Sequence, residues 1–300
     1  MKNEVFEVLS RFAETEKDIP LSSMTTLRIG GPASIVVYPD TFLAFDQIMR
    51  YLNEEKISFK VIGKGSDLLC SDERYDGVVI RLDRHLHHTY FSGNKAYAEG
   101  GASVIAFAVN AMKCGLSGLE FASGIPGTVG GAVFMNAGAY RSCMAEITER
   151  VLVYKDGDFV WMTNEECCFS YRESIFTRHP EWVIMAAEVS LQAKDRNEIE
   201  ELMEDRRSRR MASQPLEYPS CGSVFRNPEG MNAWQLIDGI GYRGKRRGGA
   251  VVSEKHCNFI VNTNSASAED YIALVNEIIE LVEEKYEITL VTEMEKFNWK

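Results

Sequence analysis

The chain contains 300 residues, 45% of them hydrophobic, and carries a formal net charge of −11 at pH 7. This length exceeds that of one typical domain core and predicts two or three domains. The negative charge argues against general binding to nucleic acid or to anionic membranes. Seven cysteines, an odd number without paired CxxC spacing, indicate reduced thiols and a cytoplasmic location.

The first part of the chain predicts a helix followed by a βαβ unit. Apolar residues at Val5, Phe6, Leu9 and Phe12 lie on one helical face with acidic residues between them, which is neither a signal peptide nor a membrane anchor. The next elements follow from the change between helical and alternating periodicity. They are a turn-rich link (Met24–Pro32), a strand (Ser34–Tyr38), a helix (Thr41–Glu55) and a strand (Phe59–Ile62).

The middle of the chain combines strands with one helix and one hairpin. Asp156-Gly157, between two alternating runs, is a good β-hairpin signal. Three histidines, His85, His87 and His88, lack a nearby cluster of acids or cysteines, so we predict a solvated loop there and no metal site. The predicted elements are strands at Gly77–Leu82, Ala96–Glu99, Arg150–Tyr154, Phe159–Met162 and Trp182–Leu191, and a helix at Ser103–Cys114.

A helix after Lys194 is predicted to begin at an Asp195 cap. Its apolar stripe continues at helical spacing into Arg206 and Arg210, which turns these arginines toward a cleft; the alternative is a solvated basic helix end. The stretch Met211–Pro219, which has no periodicity, predicts a boundary before a compact α+β domain. The elements predicted there are helices at Ala233–Gly239 and, after a Ser267 cap, Ala268–Tyr286 with Ile272, Val275, Ile279 and Val282 inward, a turn at Gly241–Gly249, and strands at His256–Asn262 and Ile288–Met294.

The segment Gly115–Gly138 holds seven glycines, and no charged residue falls between Phe121 and Tyr140. Its glycines, together with Pro126 and Asn136, argue against a membrane-spanning helix. We expect its backbone to fold tightly around a ligand, because glycine permits positive φ and lets main-chain N–H groups approach an anion such as a diphosphate. A buried glycine-rich turn without a ligand is the alternative. The glycines expected to act in this way are Gly124, Gly127, Gly130 and Gly131.

A second glycine loop follows the predicted βαβ unit. Gly63 and Gly65 free the backbone, Ser66 can donate a hydrogen bond to phosphate, and Lys64 supplies positive charge. Either loop alone would be a common turn. The two together suit a two-sided grip on a dinucleotide.

The motif SGIPGTVGGAVFMNAGAY resembles the flavin-binding signature of the UDP-N-acetylenolpyruvoylglucosamine reductase (MurB) family. Other blocks of that family occur in the same order and span nearly the whole chain. They are TTLRIGGPA (Thr25–Ala33), VIGKGSDLL (Val61–Leu69), YRESIF (Tyr171–Phe176), QPLEYPSCGSVFRNP (Gln214–Pro228), EKHCNFIVN (Glu254–Asn262) and TEMEKF (Thr292–Phe297). A single glycine loop would be weak evidence for the family, whereas seven blocks in the family's order are strong evidence for it.

The resemblance implies an α+β fold, with a two-part FAD-binding region of the vanillyl-alcohol-oxidase (PCMH) type followed by a smaller α+β substrate-binding domain. The implied divisions are residues 1–86, 87–210 and 211–300. The implied activity is reduction of UDP-N-acetylglucosamine enolpyruvate to UDP-N-acetylmuramate by NADPH through non-covalent FAD, in peptidoglycan precursor synthesis. No insertion matches the tyrosine-bearing loop of one subgroup, so the chain resembles the shorter subgroup. The oligomeric state stays open.

Carried over position by position, the resemblance implies three catalytic residues. Arg172 would stabilise an enolate, Ser223 would donate a proton, and Glu293 matches the family's catalytic glutamate. The residues alone also allow a salt bridge from Arg172 to Glu173, an ordinary turn serine and a solvent-facing strand carboxylate. The implied FAD contacts are Gly63, Lys64, Gly65, Ser66, Asp67, Ser123, Gly124, Ile125, Pro126, Gly127, Thr128, Val129, Gly130 and Asn136, and the implied substrate contacts are Tyr140, Arg210, Asn227 and Asn258.

The chain departs from the family pattern at Asp67, where Asn is usual. A carboxylate cannot donate a hydrogen bond and repels phosphate, which argues against a direct phosphate contact there. Cys221 stands where the family tolerates Ala or Cys, which indicates a packing position, although its thiol could be oxidised. Two other functions remain open: an oxidoreductase of the same flavin fold without UDP-sugar specificity, and a non-catalytic module that binds FAD or a UDP-sugar. The PSCGSVFRNP block and Glu293 argue against both, since neither is needed merely to hold flavin.

Overall fold

The computed structural model describes residues 2–299. Its α-helices, in chain order, are α1 (Lys2–Leu9), α2 (Phe42–Glu54), α3 (Val104–Lys113), α4 (Val129–Phe134), α5 (Met144–Ile147), α6 (Ile175–Arg178), α7 (Arg196–Ser213), α8 (Ala233–Gly239) and α9 (Ala268–Tyr286). Its strands are β1 (Glu14–Pro20), β2 (Pro32–Tyr38), β3 (Phe59–Ile62), β4 (Leu68–Cys70), β5 (Tyr75–Arg81), β6 (Thr89–Ser92), β7 (Lys95–Glu99), β8 (Leu116–Ser117), β9 (Gly138–Ala139), β10 (Ser142–Cys143), β11 (Thr148–Lys155), β12 (Asp158–Thr163), β13 (Val183–Ser190), β14 (Gln192–Ala193), β15 (Arg246–Arg247), β16 (Ala250–Val252), β17 (Ile260–Asn262) and β18 (Glu295–Phe297). The mixture of helices and strands agrees with the predicted α+β class.

The chain divides into two compact units. The first contains the residues up to Lys17, Ile35–Lys64 and Gly77–Arg209. The second contains Asp18–Ser34, Gly65–Asp76 and the residues from Arg210 onward. The division into three domains at residues 86 and 210 stays a prediction.

The first unit is built on two sheets. One has the strand order β1-β2-β5-β3, so β5 lies between the two strands of the predicted βαβ unit. The other is antiparallel with the order β12-β11-β13-β7-β6. The hairpin of β11 and β12 turns at Asp156-Gly157, both with positive φ, as the sequence predicts.

Two hydrophobic clusters fill this unit. One packs α2 against the first sheet through Phe45, Ile48 and Leu52, which are fully buried. The other surrounds α3 and includes the buried Phe107 and Val129. Both helices begin as predicted, because the hydroxyls of Thr41 and Ser103 accept hydrogen bonds from backbone N–H groups of the first turn.

The second unit packs α8 and α9 against a small antiparallel sheet, β15-β16-β17. Helix α9 has the predicted bounds, and Ser267 and Asp270 form a capping box at its start. Of the four residues predicted to face inward, Val275 and Val282 are fully buried, but the centre of the buried face lies elsewhere. Tyr271, Leu274 and Ile278 are buried, whereas Ile272 and Ile279 are only partly buried.

Several predicted boundaries are wrong. Helix α1 ends before Phe12, and α7 continues to Ser213, where exposed side chains give no periodic signal. Strand β17 spans only Ile260–Asn262, because the residues before it form a turn in which Phe259 N donates to His256 O at 3.0 Å. The closing strand is Glu295–Phe297, parallel to β4, rather than Ile288–Met294. The charged strand β1 was not predicted, since its side chains do not alternate between apolar and polar.

Candidate active site

The glycine-rich segment contains a short helix, α4, that the sequence did not predict. Thr128 Oγ1 accepts from Gly131 N at 3.2 Å and caps α4. Gly130 and Gly131 are therefore helical, and since Gly124 and Gly127 also lack a positive φ, the expectation of positive φ is wrong at all four glycines. A Cβ on Gly130 would lie 3.0 Å from Gly100 O, so glycine is required there by close packing of two backbones.

Several N–H groups of this segment are already engaged, including those of Ile125 and Gly127, which donate to Ala122 O and Ile125 O. Val129 N donates to Ala102 O and Gly130 N to Gly100 O, each at 2.8 Å. Thr128 and Val129 are also buried, whereas Ser123, Gly124 and Ile125 are partly accessible and Pro126 is exposed. A ligand approaching from solvent therefore meets the Ser123–Pro126 part of the predicted cofactor set first.

The start of the other glycine loop lies against the same segment. A Cβ on Gly63 would fall 2.4 Å from Thr128 Oγ1. Lys64 Nζ lies 3.4 Å from Ser103 Oγ, and Ser103 forms a β-bridge with Thr128. The structure thus brings Gly63 and Lys64 together with Gly127 and Thr128, as the predicted two-sided grip requires.

A cavity of about 340 Å³ opens beside Lys64. Its lining mixes backbone at Gly101 and Ala102 with the polar side chains of Ser103, Asp83 and His87. This volume falls within the range of about 300–1,000 Å³ typical of ligand pockets. Ser103, His87 and Asp83 were not identified from the sequence as site residues, because they belong to elements with no recognisable motif.

Replacing Gly63 by alanine is expected to weaken FAD binding. The new Cβ must displace the Thr128 side chain, and that movement removes the cap of α4. We expect roughly fivefold weaker FAD binding, since loss of a cap costs about 1 kcal/mol. Titration of the apoprotein with FAD measures the change. Gly157→Asn is the control, since Gly157 has φ +85°, a conformation that Asn tolerates, and nothing lies within 4 Å of its Cβ position. Equal FAD affinity for Gly63→Ala and the parent would contradict the predicted role of this loop.

Arg172 occupies a tight turn in the first unit. Ser170 N donates to Glu173 O at 3.0 Å, and Glu173 N donates back to Ser170 O at 3.2 Å. Arg172 has φ +57°, a strained conformation for a residue with a side chain. Its Nη2 donates to Gly138 O at 3.0 Å, and its guanidinium carbon lies 5.1 Å from the centre of the Tyr171 ring.

Two other predicted residues lie in the same part of the first unit. Asn136 is 4% exposed, and its carboxamide bonds to Ser170 O and to Ala145 N. Tyr140 is 41% exposed and has φ +55°. Its hydroxyl donates to Arg206 O at 2.7 Å, and the Arg206 guanidinium carbon lies 5.0 Å from the centre of its ring. Tyr140 is thus available to a ligand, whereas the side chain of Asn136 is occupied by the protein.

The second unit brings Ser223 and Glu293 onto neighbouring extended segments. Glu293 N donates to Val224 O at 2.8 Å, and Phe225 bridges Thr292 in antiparallel register. Glu295, two residues further on, instead belongs to β18 and pairs with Leu68. Glu293 is therefore the glutamate that adjoins the serine segment.

Asn258 holds this serine segment from the other side. Its Oδ1 accepts from Phe225 N at 3.0 Å, its Nδ2 donates to Phe225 O at 2.8 Å, and its own carbonyl accepts from Val224 N at 2.9 Å. The side chain is 4% exposed. The Asn258 side chain therefore makes the two backbone hydrogen bonds that a neighbouring strand would otherwise make with Phe225. In this way it supports the backbone that carries Ser223.

The thiol of Cys221, two residues before Ser223, is buried. Burial raises the pKa of Cys221 to about 12, a hydrogen bond from Tyr271 lowers it in part, and the nearby charges of Asp67 and Glu293 raise it again. Cys221 Sγ and Tyr271 Oη are 3.0 Å apart. Because the thiolate is the reactive form, Cys221 is a packing residue protected against the oxidation that its position in the sequence suggested. Tyr271, fully buried on α9, was not identified from the sequence.

The remaining predicted residues of the second unit lie as follows. Gly65 has φ +57°, and a Cβ on it would come within 2.5 Å of Met24 O, so both conformation and space require glycine. Asp67 O accepts from Glu295 N, while Ser66 and Arg210 are partly buried. Asn227 is exposed, and its Oδ1 accepts from Ala233 N at the start of α8.

Comparison with known proteins identifies the class first. A family model for an FAD binding domain matches residues 33–163, and a model for the C-terminal domain of UDP-N-acetylenolpyruvoylglucosamine reductase matches residues 214–297. Together with the paired glycine loops, these matches define an FAD-dependent oxidoreductase and confirm the predicted fold class.

The relatives then specify the family. The chain is 43% identical over 277 residues to UDP-N-acetylenolpyruvoylglucosamine reductase of Carboxydothermus hydrogenoformans and, equally, of Bacillus subtilis, covering 92% of this chain and 91% of each relative. The crystal structure of the reductase (MurB) from Thermus caldophilus superposes with a TM-score of 0.79 at 34% identity, over 95% of this chain and 98% of that one. The chain belongs to the UDP-N-acetylenolpyruvoylglucosamine reductase family.

Within residues 2–299, none of the helices is long and apolar enough to cross a membrane.

Proposed function

We propose that the protein reduces UDP-N-acetylglucosamine enolpyruvate to UDP-N-acetylmuramate, with NADPH as the reductant, in the cytoplasmic synthesis of peptidoglycan precursors. The observation that carries this proposal is the pairing in the second unit. Ser223 and Glu293 lie on adjacent segments joined by the bond from Glu293 N to Val224 O, in a chain whose residues 33–163 match an FAD binding domain. The seven cysteines are free thiols, which suits a reducing compartment.

FAD fits the residues of the first unit. The Gly63 and Ser123–Val129 segments leave no room for side chains where they meet, and Lys64 adds a positive charge beside an open cavity. We propose that these segments hold the cofactor, and Gly65, Ser66 and Asp67 stay contacts predicted from the sequence motif. Neither glycine loop presents His or Cys for covalent attachment, so FAD is held non-covalently. Bound FAD supplies hydride transfer from NADPH to the vinyl carbon of the substrate.

Hydride addition to an enolpyruvyl group leaves negative charge beside the substrate carboxylate. Arg172 is our candidate for stabilising it, because a guanidinium stays charged and can bind a carboxylate through two parallel hydrogen bonds. The strained turn holds the arginine at a fixed place in the first unit.

The adjacent substrate carbon must then receive a proton. A carbanionic intermediate is basic enough to take it from a hydroxyl, so Ser223 can serve as the acid. Gly222 has φ +81° and nothing near its Cβ position, so the turn before Ser223 is open. Glu293, whose backbone is bonded to the same segment, is the second polar group that we assign to this proton transfer.

Direct substrate contacts are assigned to Tyr140, Arg210 and Asn227, and an indirect role in substrate binding to Asn258. Tyr140 is exposed on the first unit, and Arg210 near the end of α7 is suited to a pyrophosphate by its charge. Asn227 is exposed beside the start of α8. A side-chain contact from Asn258 would compete with its bonds to Phe225, so its contribution is through the segment it supports.

The test is an anaerobic two-step reaction. The protein should purify yellow and release FAD on denaturation. NADPH should bleach the flavin, and the enolpyruvyl nucleotide should restore its absorbance with formation of UDP-N-acetylmuramate. Flavin that stays with the denatured polypeptide contradicts non-covalent binding. Bleaching without reoxidation by the substrate would favour an oxidoreductase of the same fold with another acceptor.

A further inference from the structure

Two short segments of the first unit, residues 134–138 and residues 170–174, are joined by side chains at alternate positions. Each segment contributes every second residue to the junction. The three bonds are Ser174 Oγ to Phe134 O at 2.6 Å, Asn136 Nδ2 to Ser170 O at 2.7 Å, and Arg172 Nη2 to Gly138 O at 3.0 Å. The glycine-rich segment is thereby fastened to the turn that carries Arg172.

Both ends of the Asn136 carboxamide are hydrogen-bonded to the backbone. Its Nδ2 donates to Ser170 O, and its Oδ1 accepts from Ala145 N at 2.9 Å. The residue is 4% exposed and has φ +42°. Asn is among the few residues with a side chain that tolerate this conformation. Aspartate would keep the size and the acceptor but lose the donor.

The acceptor that Asn136 holds is part of the Arg172 turn itself. Ser170 O receives the bond from Asn136 and also the bond from Glu173 N that closes the turn. Arg172 sits inside this turn with φ +57°. A strained residue keeps such a conformation only when its surroundings fix it from several sides.

We propose that Asn136 and Ser174 are positioning residues that fix the Arg172 guanidinium for its task in catalysis. This inference rests on the proposed role of Arg172. Asn136 then acts through Ser170 and the turn, and its side chain makes no contact with the cofactor. Ser174, 1% exposed, fixes the far end of the same turn through Phe134 O.

The test is a double-mutant cycle between Asn136→Asp and Arg172→Lys. In the parent, Asn136→Asp should slow reoxidation of the reduced protein by saturating substrate by roughly 10–100-fold, as expected for a displaced catalytic group. FAD affinity and the rate of FAD reduction by NADPH should stay at parental values. In the Arg172→Lys background, Asn136→Asp should cause little further loss, because residues that act as a unit are not additive.

Asn164→Asp is the matched control. Asn164 Nδ2 donates to Ala145 O and Thr148 O, so this variant also removes internal hydrogen bonds of a carboxamide; Asn164 shares the neighbour Ala145 with Asn136 but makes no bond to Ser170. It should lower thermal stability and leave reoxidation at the parental rate. Losses that multiply in the double variant, or weaker FAD binding in Asn136→Asp, overturn the inference. Parental turnover of Arg172→Lys alone would instead contradict the proposed role of Arg172.

Ser174→Ala provides the second arm if Asn136→Asp does not fold. It removes the bond to Phe134 O and the bond from Phe176 N at the start of α6, while leaving the Asn136 carboxamide in place. The same pattern is expected: slower reoxidation in the parent, little further loss beside Arg172→Lys, and unchanged FAD affinity. Multiplying losses in this cycle overturn the inference as well.

Discussion

Ser223→Ala should leave the reduction of FAD by NADPH near its parental rate and strongly slow reoxidation by the enolpyruvyl substrate. Only the second half of the reaction delivers a proton to the sugar substrate. General acid catalysis contributes typically about 10²–10⁴-fold, so a loss of that size is expected. Stopped-flow absorbance of the flavin, with each half-reaction started separately, measures both rates.

The structure allows this substitution without a packing change. Ser223 is only partly buried, and Val224 keeps its bonds to Asn258 and Glu293 through main-chain atoms. Ser220→Ala, three residues earlier in the same segment, is the matched control and should leave both half-reactions unchanged. An unaltered oxidative half-reaction in Ser223→Ala would show that the proton comes from another group. Loss of both halves together would point to lost flavin or misfolding.

Arg172→Lys should lower turnover about 10–100-fold with FAD binding unchanged. Lysine keeps the positive charge but cannot bind a carboxylate through two parallel hydrogen bonds. A hydrogen bond to a charged group contributes about 1.5–3 kcal/mol, which corresponds to the expected range. Lysine also forfeits the guanidinium bond to Gly138 O. Steady-state kinetics, together with FAD titration of the apoprotein, check the prediction.

The control for Arg172 lies six residues further along the chain. Arg178 is exposed at the end of α6, and Arg178→Lys should leave turnover unchanged. If Arg172→Lys also turns over at the parental rate, Arg172 serves only as part of the turn.

Sequence patterns were informative where a long element has one strongly apolar face. The bounds of α8 and α9 and the starts of α2 and α3 agree with prediction, because caps and periodicity act within one element. Short strands were less predictable. The residues of His256–Asn262 are mostly buried whatever their conformation, so burial gave no alternating signal to separate the turn from strand β17.

Local sequence patterns were also of limited use for the candidate site. The order of motifs identified the family and placed Arg172, Ser223 and Glu293 as candidates. The sequence could not say how side chains are used once the chain folds. Asn136 and Asn258 match ligand-contact positions, yet each directs its carboxamide to the backbone of a distant segment.

The sequence by itself determined the family, the cofactor class and the elements whose signals are local. Only the tertiary structure showed why Gly63 and Gly130 are glycine. A Cβ at either position would come too close to an atom of another segment, Thr128 Oγ1 or Gly100 O. It also decided which glutamate adjoins Ser223, because strand pairing at Thr292 and at Glu295 depends on different partners. The physical reason is that close packing and hydrogen bonding join residues far apart in the chain. Periodicity and capping, in contrast, depend only on residues within a few helical turns of one another.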